Sequence, residues 1–162
     1  MAEPYHPIAA ALRGENPMVM GQMRSGFAVI GDTQHLPGYS LLLTDDMAVD
    51  HPTDLSWAQR RAFFFDLSLL GEAVLNAGRE RGVHRVNYEV LGNSWNHLHG
   101  HVHARYESEP ADTIGGPVWR YPKEVRNAPE HRYDESRHGE FRAAITAALQ
   151  RLMTEAYAEL DS

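Results

Sequence analysis

The sequence contains no cysteine. That excludes a disulfide framework, a cysteine-ligated zinc and a thiol nucleophile, so covalent or metal chemistry falls to histidine and the carboxylates. There is no surplus of positive charge either: 15 Lys and Arg stand against 22 Asp and Glu, a formal net charge of −7. Non-specific binding of polymeric nucleic acid depends on clustered cations that neutralise phosphates, and this balance argues against it. A small phosphorylated ligand held by backbone N–H groups and imidazoles stays compatible with the charge, because local donors decide binding in a small pocket more than the overall sum does. Nowhere do about eighteen apolar residues occur together, and no N-terminal segment joins a basic start to an apolar run, so neither membrane spanning nor export is expected and the default location is the cytoplasm. Internal repeats and low-complexity tracts are lacking as well. At 162 residues with 43% hydrophobic content, the chain has the size of one domain spanning 1–162, since two domains would each be marginal.

What the chain does have is histidine, ten in all. Four of them occupy every second position of one stretch, His97-Leu98-His99-Gly100-His101-Val102-His103. On a strand, alternate side chains share a face and lie about 6.6–7 Å apart, so the four imidazoles line one face while Leu98, Gly100 and Val102 line the other. Imidazole titrates near neutrality, so such a row supplies a nucleophile, proton donors and acceptors, or metal ligands. The run Gly92-Asn93-Ser94-Trp95-Asn96 just before it offers a flexible backbone, amides and a hydroxyl, all able to donate hydrogen bonds to oxyanions. Phosphate is the guest these groups suit.

Around the row, a short helix is expected at Pro7–Leu12, stopped by Gly14 and Asn16-Pro17. Strands are expected at 18–23, 26–30 and 39–44. Phe63, Leu67, Leu70 and Val74 recur at helical spacing in a long helix over 55–81, with Thr53 or Asp54 as its cap and Gly82 closing it. Two neighbouring strands follow at 83–91 and 97–106, joined through the Gly92-Asn93-Ser94 turn. Residues 107–132, rich in Pro and Gly, read as an irregular surface segment pinned by Trp119 and Tyr121. Phe141, Ile145, Leu149 and Leu152 mark a terminal helix over 140–160. The fold class is therefore α+β: an antiparallel sheet of about five strands, one long packed helix and an added C-terminal helix. Phe63-Phe64-Phe65 and Trp57 read as core and interface packing, and His6, His35, His51, His84, His131 and His138 as structural or exposed.

The row resembles the signature of the histidine triad family of nucleotide hydrolases and transferases, His-φ-His-φ-His-φ-φ with φ apolar; Gly100 and His103 stand where apolar residues are usual. The segment from Ile30 through Asp32 and Pro37-Gly38 to Leu43 is similar to the family's strand, acidic or amide residue, turn and second strand. Gly92-Asn93-Ser94 matches its Gly-Gln-Ser/Thr, with Asn93 one methylene shorter than the usual Gln, and Tyr39 sits where many members carry His. The resemblance covers about 15–106, leaving 107–162 as an addition. It implies a histidine-triad-like sheet and a homodimer whose sheets join edge to edge, with the apolar helix near the interface. It also implies that His99 attacks the α-phosphorus of a dinucleoside polyphosphate, such as diadenosine tetraphosphate, or of an adenosine phosphoramidate, and holds a covalent nucleotidyl-imidazole. His97 would then orient the nucleophile and His101 would contact phosphate oxygens and assist the leaving group. Asn93 and Ser94 would bind α-phosphate or leaving-group oxygens, Asp32 the ribose hydroxyls, Asn87 ribose or phosphate, and Ile30 would help wall the base. No metal is required, though Mg²⁺ is compatible with a polyphosphate substrate. His103 is given no catalytic role; extending the polar floor, pairing with Glu107 or Glu109, and a place near solvent all stay open for it.

Two other readings stay open. His101 and His103 with Glu107 or Glu109 resemble part of a cupin motif that holds iron, manganese or zinc, although the long helix and the lack of a second such motif speak against it. The other is a nucleotide-binding module with little turnover.

Overall fold

A computed structural model describes residues 5–162. Five strands, β1 (Val19–Met23), β2 (Gly26–Ile30), β3 (Ser40–Thr44), β4 (Val83–Glu89) and β5 (His99–Tyr106), form one antiparallel sheet in the order β1-β2-β3-β5-β4. The two long helices, α2 (Trp57–Gly78) and α4 (Glu135–Leu160), join the short α1 (Pro7–Leu12) and α3 (Lys123–Arg126). The alternation of β2 shows how the sheet is divided: Ala28 and Ile30 turn to one core, Phe27 and Val29 to another.

On the first face α2 and α4 bury Leu67, Leu70, Val74, Ile145 and Leu149 against Leu42, Leu98, Val102 and Ala104. Gly100 lies among these inward positions, where an added Cβ would sit 2.7 Å from a methyl carbon of Leu67. A side chain there would have to displace the buried Leu67, which accounts for a glycine where the alternation calls for an apolar residue. On the second face α1 sets Ile8 and Ala11 against Phe27, Val29 and Leu43. The rest of that face belongs to the histidines.

Several boundaries differ from expectation. The cap of α2 is Ser56, whose Oγ accepts the Gln59 N–H while Gln59 Oε1 accepts the Ser56 N–H. Asp54 instead closes the preceding turn, accepting N–H bonds from Asp50 and His51. Helix α2 ends at Gly78, and a single 3₁₀ turn carries the chain to Gly82, which takes the left-handed conformation (φ +88°). Helix α4 begins at Glu135, six residues before Phe141, the first apolar position of its repeat, because Asp134 caps it by accepting the Arg137 N–H. Strand β5 begins at His99, so His97 stands just ahead of the ladder.

The segment after β5 is tied down by a buried charge. Arg105, 3% exposed, donates to both oxygens of Glu109, to Asn87 Oδ1 at 2.7 Å and to the carbonyls of Thr113 and Gly116. Tyr121 Oη also donates to Glu109, at 2.8 Å. Burial raises the Glu109 carboxyl, but these donors outweigh it and hold the group below its ordinary value. Every lone pair of the pair is used, the condition under which a buried ion pair is tolerated.

Candidate active site

Strand β5 carries His99, His101 and His103 on one face, with ring centroids 4.8 Å and 5.7 Å apart in succession. His99 lies opposite Leu43 and His101 opposite Leu41 on one side; His103 lies opposite Asn87 on the other. His99 Nδ1 lies 2.7 Å from the carbonyl of His97. A carbonyl only accepts, so Nδ1 carries the proton and the Nε2 lone pair is left for chemistry.

His97 is held at both ring nitrogens. Its Nδ1–H donates to the Met47 carbonyl at 3.1 Å, and its Nε2 is 3.0 Å from Nε2 of His6, at the start of α1. Trp95 packs edge-on or tilted against His6, His97 and His99.

His101 is governed by Tyr39, whose Oη lies 2.7 Å from its Nδ1. Burial, then the nearby carboxylates of Asp32 and Glu89, push the phenol far above its ordinary value, so it keeps its proton and donates. His101 therefore bears its own proton on Nε2. Burial first, and then His99 and His103, lower its pKa to about 4, so it is neutral at physiological pH. Tyr39 also stacks on His103 at 4.6 Å with rings nearly parallel.

His103 is buried, and its acidic neighbour is neither Glu107 nor Glu109 but Glu89, with Nε2 3.3 Å from Oε2. The two atoms are out of hydrogen-bonding alignment and find no other partner among the described residues. Glu89 Oε1 accepts from the Trp119 indole at 2.7 Å. Burial raises Glu89, yet His103 and Trp119 outweigh it and lower its pKa. Beside His103 opens a hollow of about 140 Å³ lined by Asp32, His35, Tyr39, His103, Trp119 and Arg126. The Arg126 guanidinium lies over the Trp119 ring at 4.4 Å.

The other expected site residues divide. Asp32 stands exposed at the rim of this hollow. Asn87 shares the histidine face, but its carbonyl oxygen is taken by Arg105 and it lines a separate groove with Gly115 and Gly116. Asn93 and Ser94 are exposed on the loop between β4 and β5, outside the hollow. Ile30 does not wall it: one residue out of phase with Val29, it is buried in the helix-side core. The cupin reading loses Glu109, which is spent on Arg105 and Tyr121, and its architecture, since the strands form one open sheet.

No protein-family model and no curated protein matches the sequence. Solved structures do match. A histidine triad protein from Sinorhizobium meliloti shares 23% identity over 81% of this chain and 88% of its own, with a TM-score of 0.66. A histidine triad protein from Marinobacter aquaeolei shares 26% over 85% and 88%, with a TM-score of 0.62. A hypothetical histidine triad nucleotide-binding protein from Sulfolobus tokodaii, 12% identical over 90% and 91%, gives 0.65. This is the histidine triad fold.

Within the histidine triad fold the departures of this chain have physical reasons. Gly100 makes room for Leu67, His103 answers Glu89 and stacks on Tyr39, and Tyr39 serves His101 as a hydrogen-bond donor. Sequence reading missed Tyr39, Glu89, Trp119, Trp95 and His6 as parts of the site. Parity carries a signal for two of them: Tyr39 is in phase with Leu41 and Leu43, and Glu89 is two residues beyond Asn87 on one strand. Nothing in spacing points to His6, 91 residues from its partner.

Proposed function

We propose that this chain is a nucleotide hydrolase that cleaves a dinucleoside polyphosphate, or a nucleoside phosphoramidate, at the α-phosphate through a nucleotidyl-His99 intermediate. The supporting observation is the bond from His99 Nδ1–H to the His97 carbonyl, which orients an unprotonated Nε2 and stabilises the ring as it becomes cationic. The Nε2 lone pair attacks phosphorus, the Nε2–P bond forms, and the bond to the leaving oxygen or nitrogen breaks. His101, with its proton on Nε2, donates a hydrogen bond to the phosphate oxygens and stabilises the charge that builds there, so that a polyphosphate departs as its anion and the amine of a phosphoramidate takes its proton from solvent. Water then attacks phosphorus and gives up a proton to solvent, the Nε2–P bond breaks with its electron pair returning to His99 Nε2, and a nucleoside monophosphate departs.

The nucleoside would take the side of His103 and Asp32, because α1 already covers Phe27, Val29 and Leu43 on the other half of the face. There Asp32 would accept from the ribose hydroxyls and Trp119 would flank the base. Asn93 and Ser94 would reach the leaving-group oxygens from their loop, while Asn87 acts through Arg105 rather than on substrate. No bound metal is needed for these steps, and Mg²⁺ would ride on the polyphosphate. The Sulfolobus neighbour's description as nucleotide-binding keeps a module with little turnover as the second reading. Incubation with diadenosine tetraphosphate separates them: AMP should be released with or without a transition-metal chelator. Tight binding without AMP favours the module, and activity lost to the chelator and restored by a transition metal contradicts the proposal.

The working unit would be a homodimer. Strand β4 ends the sheet, and the exposed Phe64 of α2 and Tyr88 of β4 border a shallow apolar groove along that edge.

A further inference from the structure

Between His6 and His97 the two Nε2 atoms are 3.0 Å apart, room for one proton. The far nitrogens decide which ring supplies it. His6 Nδ1 accepts the Ala9 N–H as the cap of α1, so it is unprotonated and Nε2 bears the hydrogen. His97 Nδ1 faces the Met47 carbonyl, which only accepts, so there Nδ1 bears the hydrogen and Nε2 is the acceptor. The reverse assignment would set an N–H against the Ala9 N–H and a lone pair against the Met47 carbonyl, losing both bonds. The rings meet edge to face at 4.7 Å, with Trp95 against both.

We propose that His6 is a positioning residue: by donating to His97 it locks that imidazole in its Nδ1–H form and steadies the carbonyl that orients His99. His97 precedes β5, and its carbonyl is taken by the His99 ring at 2.7 Å instead of by a neighbouring strand. The local chain is fixed by the Leu98 N–H to Val49, by the Met47 anchor and by His6. Without His6 the His97 ring is free to take the Nε2–H form, release Met47 and let the carbonyl swing. The effect on rate rests on the proposed hydrolase reading, whereas the effect on the tautomer does not.

A capping role alone is separable from this one. His6→Asn keeps a strong helix cap but is too short to reach His97, while His6→Gln can extend an amide N–H to it. Long-range ¹H–¹⁵N NMR of the imidazoles in the free, full-length protein reads which nitrogen of His97 is protonated. We expect Nδ1–H in the wild type, mixed forms in His6→Asn and recovery in His6→Gln. In the hydrolase assay His6→Asn should lower kcat about 10–100-fold with KM unchanged, the range typical of a lost orienting partner, and His6→Gln should recover most of it. An unaltered His97 tautomer in His6→Asn overturns the proposal, as does an unaltered kcat in an enzyme that turns over. If the wild type releases no AMP, the hydrolase reading fails and the NMR comparison still decides the role of His6.

Discussion

His101 is the imidazole most changed by its surroundings. Burial and two neighbouring histidines take its pKa from 6.5 to about 4. Between those values the unfolded chain binds a proton that the folded chain refuses, so the stabilisation is whole above about pH 6.5 and is lost as the pH falls toward 4. At about 1.4 kcal/mol per unit this amounts to roughly 3–4 kcal/mol. His6, His35 and His138, each lowered chiefly by burial, act in the same direction. Melting temperature should therefore drop on acidification through this window, and His101→Gln should make the drop shallower; a flat profile contradicts the assignment. Tyr39→Phe keeps the stacking on His103 but removes the donor to His101 Nδ1, freeing that ring to exchange tautomers. Its kcat should fall about 10–100-fold with folding intact, as for other lost orienting partners, and an unchanged kcat would show that His101 needs no such donor.

The meeting of β5 with α2 sets how deep the histidine row lies. Gly100 permits it, and Gly100→Ala would drive a Cβ to within 2.7 Å of Leu67. Overpacking of this kind costs about 1–3 kcal/mol, measurable by chemical denaturation; a neutral result would mean that α2 moves away freely. All five strands and both long helices were legible in the sequence: the helices repeat apolar residues with period 3.6, β5 alternates with period 2, and β2 and β3 are short apolar runs bounded by turn residues. The misjudged boundaries lie where polar caps do the work. Glu135 to Gly139 add a polar first turn to α4 with no apolar residue to announce it, and Ser56 outcompetes Thr53 and Asp54 because Gln59 answers it. In the site, the imidazole row was legible as one alternating run. Its orienting partners were not: Tyr39, His6 and the Met47 carbonyl meet it only through tertiary packing, and Ile30 was assigned to the wrong face by a single step of phase.

Across the molecule the two faces of the sheet have different tasks. One is sealed by α2 and α4; the other is shared between α1, the histidines and the segment that Arg105 folds back beside them. Among these elements opens the hollow beside His103. The free edge at β4, with Phe64 and Tyr88 about half exposed, should pair with a second copy. Light scattering should give a dimer that Tyr88→Asp weakens, and a monomer at micromolar concentration contradicts this. The central claim, that Nε2 of His99 takes the nucleotidyl group, is tested most directly by mixing the protein with diadenosine tetraphosphate, quenching in base and mapping the adduct by mass spectrometry. The account predicts an adenylyl group on the peptide bearing His99, absent from His99→Ala; AMP formed with no adduct at any time, or an adduct on another residue, contradicts it.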